Sequence, residues 1–388
     1  MLCAHSRPGV GALLEKGFSA RWKPSPRLRR KRALPNLPDK WHGDPMTSDV
    51  LIVGAGIAGL SCAKVLADAG KTVRLVERAR GVGGRCATRR IDGQPVDHGL
   101  VFLHGQSPEF LAALRAVPGR WCDGWPNVVR GAGAPCQPNA FIPGTHRMAH
   151  ASGVSAFPKH LAAGLDVVLE TTVTGFDFGS DGITVLAKHQ TDTTTFSARD
   201  VVLALAGPQS LALLEALPMS PDRETARALL AMLPSVPCAT VMALYSGDVP
   251  APPWDNLYPE TSEALLLVAH DSAKRDHPKY TALVLQARPA WSSAILAVPE
   301  SEWAPRLLAD AATLAGPWAA QPATWQAHVW RYARTTPECE LAGPLVLDLG
   351  QGRRVGIAGE LFAPGGGVQA AWQSGTKLAQ RLLDEEQP

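Results

Sequence analysis

The chain has little that would mark it as disulfide-rich, membrane-spanning or metal-binding. Its seven cysteines, Cys3, Cys62, Cys86, Cys122, Cys136, Cys238 and Cys339, are odd in number and include no C-x-x-C pair. No histidine stands near them at zinc-ligand spacing, so neither a disulfide framework nor a metal site is expected, and a reducing cytoplasmic setting fits best. The apolar runs at 201–206 and 264–269 fall far short of the roughly 18 residues a transmembrane helix needs. Neither a G-x-S-x-G elbow nor an H-E-x-x-H pair occurs, which removes the local signatures of serine-nucleophile and zinc-protease chemistry.

What is present is an ordinary globular composition of 388 residues, 46% hydrophobic and 19% charged, enough for two domains. The formal charge of +3 hides an asymmetry, because residues 1–45 carry ten Lys/Arg against three Asp/Glu. The remaining body is mildly acidic and carries no nucleic-acid footprint; a small molecule is the expected partner. The stretch 21–32 is basic, interrupted by prolines and without apolar periodicity, so 1–45 is expected to be a disordered extension. Translation starting at Met46, with the extension an artefact of start-site choice, is the preferred reading, and a targeting arm is the alternative.

The densest motif begins just after. Residues 49–53 (DVLIV) form a short β-branched run, followed by 54–59 (GAGIAG) and the helical apolar pattern Leu60, Ala63, Val65, Leu66 and Ala69. Strand, tight turn and helix in this order make a dinucleotide fingerprint. Gly54 permits the turn, Gly56 lets backbone approach a pyrophosphate, and Gly59 lets helix and strand pack closely, with the helix N-terminus facing the phosphates. A second strand at 72–76 ends in Glu77, which is 18 residues beyond Gly59 and placed to bond both hydroxyls of an adenosine ribose. Glu77 disfavours a 2′-phosphate by like-charge repulsion, although its neighbour Arg78 works the other way.

The next segment, 81–90 (GVGGRCATRR), is a second glycine loop carrying Gly84 and Arg85. In this position it resembles the G-G-R-x-x-T extension of glutathione-reductase-type flavoproteins, particularly their amine-oxidase-like branch. That resemblance implies FAD as the cofactor, with Arg85 donating to the diphosphate or the flavin edge. Towards the C-terminus, a buried strand at 354–358 leads into Gly359 and Glu360, then three glycines at 365–367 and an amphipathic helix through Val368, Gln369 and Ala370. Flavoproteins of this class return to the cofactor with such a helix, whose dipole stabilises negative charge on the reduced ring.

Together with 96–99 (VDHG), 152–160 (SGVSAFPKH), 201–205 (VVLAL) and 328–333 (HVWRYA), these pieces resemble the renalase family of small FAD-dependent oxidoreductases. The resemblance implies that Ala58, Arg85, Val101 and Phe102 lie at the flavin, that Val173 contacts adenine through its backbone, and that Trp330 lines the pocket above the ring. It also implies hydride transfer from 2- or 6-dihydro-NAD(P) to flavin N5, with O2 or another acceptor reoxidising the cofactor. Trp330, Tyr332 and Phe102 would then form a flat slot, with His328 the best placed histidine. The chain departs from the family at 100–104 (LVFLH), where relatives carry a Gln and a Tyr, and this leaves open an amine oxidase or a desaturase of an apolar substrate. A flavin-binding protein without turnover is the third alternative.

The expected fold is α/β: a Rossmann-like FAD-binding domain of glutathione-reductase type, with an inserted α+β substrate domain built on an antiparallel sheet. The cofactor domain is expected to be discontinuous, over 48–117, 155–210 and 340–385. Residues 118–154 read as an irregular Gly/Pro-rich excursion and 218–339 as the substrate domain, with strands near 239–245, 264–269 and 281–287 and a helix at 300–314.

Overall fold

A computed structural model describes residues 47–179, 182–247, 249–335 and 340–385. The basic stretch 1–45 and its expected disorder lie outside the described residues.

Two sheets organise the chain. The first is built around strand Thr47–Val53, which pairs in parallel with Val73–Val76 on one side and with Asp192–Leu203 on the other. Asp166–Val168 extends it in parallel beyond Val73–Val76, Arg354–Ile357 beyond Asp192–Leu203, and the antiparallel Leu345–Asp348 completes that edge. The hairpin Thr171–Gly179 and Gly182–His189 adds to the first half of Asp192–Leu203. Alternation along the central strand explains its burial on both faces. Val50 and Ile52 pack under helices Ile57–Asp68 and Gly367–Asp384, while Leu51 and Val53 join Val201, Leu203, Val355 and Ile357 under the helices on the opposite side. The two covering helices touch closely, since a Cβ at Gly375 would lie 2.1 Å from the Ala58 carbonyl oxygen.

The second sheet runs in the order Thr324–Thr335, Ser235–Tyr245, Thr281–Ala287, Leu265–His270, Asn256–Leu257 and Val129–Arg130, antiparallel except for the last pair. Its period-two pattern divides the residues again. Ala239, Val241, Ala243 and Tyr245 face helix Glu300–Ala315 through Trp303, Ala304 and Leu307, whereas Met242 and Leu244 face Phe102, Trp125 and Tyr258. The antiparallel second layer is therefore as expected.

Residues 118–154 are more regular than their composition suggests. His146–His150 pairs with Leu103–Gly105 on one side and Trp121–Asp123 on the other in a three-stranded sheet, and Val129–Arg130 reaches the edge of the second sheet. The glycines that made the stretch look irregular close its turns, with Gly124, Gly131 and Gly144 at φ of 76°, 84° and 82°. Helix Gly207–Leu214 follows Asp192–Leu203, with Pro208 in its first turn where no N–H is needed.

Candidate active site

The glycines of the first turn separate by what surrounds them. Gly54 has φ +103° and a Cβ there would sit 2.6 Å from the Ala204 carbonyl oxygen; a Cβ on Gly59 would sit 2.0 Å from that of Gly54. Both are required by the protein's own packing. Gly56 differs: its φ of −76° suits any residue, and no atom lies within 4 Å of the position of a Cβ. Helix Ile57–Asp68 starts at this open space with no side-chain cap on its first backbone N–H groups.

The second glycine loop folds against the first. The Gly83 N–H donates to the Ala55 carbonyl at 2.8 Å, and Gly84, at φ +54°, brings its Cβ position within 3.6 Å of the Gly56 Cα. Glu77 is buried and its carboxylate ties the two loops together, accepting from the N–H of Ala55 and of Ala79 at 2.9 Å each. Arg78 is exposed beside it. Arg85 turns towards the C-terminal segment, ion-pairing with Glu360 and donating to the Ala333 carbonyl at 3.1 Å. Glu360 also accepts from the Thr335 hydroxyl at 3.3 Å. Gly365, Gly366 and Gly367 all have positive φ and deliver helix Gly367–Asp384 with a second N-terminus uncapped by any side chain. Gln369 bends back to accept from the N–H groups of Gln106 and Ser107 at 2.7 and 2.9 Å, Val368 is half-buried, and Ala370 is fully buried. Gly359 is pinned to the same helix through the Ser374 hydroxyl.

The remaining candidates are more scattered. Val101 and Phe102 are buried, and Phe102 has His104, Trp125 and Phe141 as ring neighbours at 6.1–6.2 Å. The flat slot of Trp330, Tyr332 and Phe102 is therefore not assembled. Trp330 instead packs against His98 and His328, with ring centroids 5.3 and 4.4 Å away, and its indole N–H donates to the His98 carbonyl at 3.0 Å. Tyr332 is half-buried on the same strand. Val173 pairs with Ala187 beside a register shift in its hairpin. Burial, then the Arg89 guanidinium and His328, push the His98 pKa down to about 3. Burial followed by Arg89 and Arg78 lowers that of His328, and burial alone takes His104 down to about 4.

Residues 52–117 match the family model for an NAD(P)-binding Rossmann-like domain, and residues 135–383 match that for flavin-containing amine oxidoreductases. The chain belongs to the flavin-containing amine oxidoreductase family. FAD is accordingly its cofactor, and the open cradle at Gly56 with two uncapped helix N-termini fits that group. Among curated relatives, a 15-cis-phytoene desaturase of Synechococcus elongatus is 48% identical over 69 residues, 18% of this chain and 15% of that protein. A putrescine oxidase of Kocuria rosea is 41% identical over 66 residues, 17% of this chain and 14% of that one. The matched stretch thus spans only about a seventh of the length of these curated relatives. Similar solved structures include a putrescine oxidase variant (TM-score 0.63, 16% identity, 88% of this chain and 99% of that chain). A cyclohexylamine oxidase from Brevibacterium oxydans is equally similar (TM-score 0.63, 17% identity, 88% of this chain and all of that one). At these identities the likeness concerns the fold. No helix among the described residues is long and apolar enough to cross a membrane.

Sequence reasoning missed the residues that hold the segment following Asp97. Lys274 and Arg275 meet Asp97 and Asp271 in a quartet with almost no solvent exposure, at 2.7–2.9 Å. Asp97 accepts in addition from the Thr88 hydroxyl at 2.6 Å and the Val154 N–H at 2.9 Å, and its pKa is held well below the carboxylate range: burial pushes it up, but Arg275 and Lys274 outweigh that. The Lys274 ammonium also lies 4.5 Å over the Trp125 ring and donates to the Val101 carbonyl. The dipeptide Lys274–Arg275 has no local mark of burial, and its partner Asp97 is more than 170 positions away.

Proposed function

We propose that this protein oxidises the dihydropyridine ring of a reduced nicotinamide isomer, 2- or 6-dihydro-NAD(P), to the aromatic form. Bound FAD supplies a two-electron hydride acceptor, later reoxidised by O2 or another acceptor. The observation that carries this reading is the environment of Trp330. His98 and His328 are both disfavoured from protonation, by burial first and then by Arg89, so the imidazoles beside Trp330 are neutral and weakly basic. A dihydropyridine becomes aromatic by losing hydride alone and needs orientation more than a base. An alkylammonium, by contrast, must first shed a proton, for which weakly basic imidazoles are poor acceptors.

In this reading Trp330, Tyr332 and His328 orient the substrate ring. Gly54, Gly56, Gly59, Glu77, Arg78, Gly84 and Arg85 hold the adenosine and diphosphate, with Val173 beside the adenine and Ala58 at the flavin. Gly359, Glu360, Val368, Gln369 and Ala370 take the flavin end. The side chains of Val101 and Phe102 point into the core, so this segment offers its backbone to the ring. Segments 48–117, 155–210 and 340–385 then serve the cofactor and 218–339 the substrate. Amine oxidation is the second reading, supported by the names of relatives such as putrescine oxidase. Anaerobic mixing of the flavoprotein with dihydronicotinamide isomers and with a panel of amines, following the flavin absorption band, tests the two. Rapid bleaching by the isomers is expected; rapid bleaching by amines alone would overturn the proposal.

A further inference from the structure

Residues 97–101 follow strand Gln94–Asp97 and are bonded to groups from different parts of the fold. The N–H groups of His98 and Leu100 donate to the carbonyls of Ala87 and Arg85 at 3.2 and 3.1 Å. Three carbonyls of the same stretch accept from side chains that come from the second sheet and the turn Asp271–Lys274. His98 accepts from the Trp330 indole at 3.0 Å, Gly99 from the Gln286 amide at 2.6 Å, and Val101 from the buried Lys274 ammonium. Side chains thus satisfy backbone carbonyls that no neighbouring strand reaches. It is also pressed against the Arg85 loop, since a Cβ on Gly99 would lie 2.2 Å from the Arg85 carbonyl oxygen. Arg85 in turn is fixed to Glu360 beside the second uncapped helix. A continuous bonded path therefore leads from Gln286 and Lys274, through Gly99 to Val101, to the Arg85 loop and Glu360.

We infer that Gln286 and Lys274 are positioning residues for the flavin, Gln286 acting from the second sheet and Lys274 from the turn Asp271–Lys274, through the Gly99 and Val101 carbonyls, to fix the Arg85 loop against the cofactor. Neither has to touch FAD. The inference rests on the cofactor placement proposed above. Its physical content is that a displaced 97–101 segment would carry the Arg85 backbone with it, because the glycine contact leaves no slack between them.

The test compares two variants of the FAD-loaded protein. Gln286→Leu keeps the side-chain volume and removes the donor to Gly99. Ser292→Ala removes another fully buried hydrogen bond of the same layer, from the Ala239 N–H to the Ser292 hydroxyl at 3.0 Å, away from the segment. The readouts are the rate of FAD release on dilution, followed by flavin fluorescence, the flavin absorption spectrum, and the thermal midpoint. The expected result is about tenfold faster release and an altered spectrum for Gln286→Leu, and release within about twofold of wild type for Ser292→Ala at a similar loss of thermal stability. Equal release from both variants, or unchanged release from Gln286→Leu, would overturn the inference. Lys274→Met leaves two buried carboxylates with Arg275 as their one remaining cation in the quartet and risks the fold, so Gln286→Leu carries the decision. Gly56→Val, measured alongside, separates the two claims: full FAD retention by that variant would instead overturn the placement of the cofactor.

Discussion

The turn at 54–59 and the segment at 97–101 both hold backbone at close quarters, and they do so by opposite means. The turn is held by the absence of side chains: Gly54 and Gly59 leave room for Ala204 and for each other, and the position of a Cβ at Gly56 is open. The 97–101 segment is held by side chains brought in from far along the chain, with Trp330, Gln286 and Lys274 each donating to a carbonyl. The first device is local and tolerates almost no added atoms. The second is long-range and fails by losing a donor.

The most damaging way to break the comparison is on the side of the segment. Lys274→Met leaves Asp97 and Asp271 with Arg275 as their remaining cation in the quartet, and a loss of about 3–5 kcal/mol is expected in denaturant unfolding. On the side of the turn, Gly59→Ala forces a methyl group against the Gly54 carbonyl and should lose roughly 1–3 kcal/mol by the same measurement. Gln369→Leu takes the acceptor from the N–H groups of Gln106 and Ser107 and should cost about 1 kcal/mol.

A pH titration sharpens the contrast further. His98 and His104 have folded pKa values near 3 and 4, below the ordinary 6.5. The unfolded chain therefore binds protons that the native state does not, so stability is complete above about pH 6.5 and declines as the pH falls towards 4. Thermal midpoints recorded from pH 7 to 4 should fall, and His104→Gln should flatten part of that slope. An unchanged slope in the variant would show that His104 is not the buried neutral group described.

These differences also explain what could be read from the sequence. Gly54, Gly56, Gly59 and Glu77 were legible because strand, turn, helix and acid follow one another within some thirty residues, and each has a backbone reason for its identity. The C-terminal strand and helix were legible for the same reason. Trp330 stands out in the sequence only within the stretch 328–333, while its indole bond to His98 joins positions 232 residues apart and has no periodic signature. Lys274 and Gln286 were invisible, because a buried cation beside a surface-like arginine and a glutamine in a β-strand look ordinary until Asp97 and Gly99 are brought against them. The excursion at 118–154 was misjudged since its glycines close turns between short strands rather than interrupting structure.

The central claim is that the space at Gly56 belongs to FAD rather than to the protein. Gly56→Val tests it most directly, by measuring FAD content of the purified protein together with the stability of its FAD-free form. The account predicts FAD-free stability within about 0.5 kcal/mol of wild type, because nothing in the protein occupies the space, and a protein purified without flavin. Full FAD occupancy in Gly56→Val would contradict it.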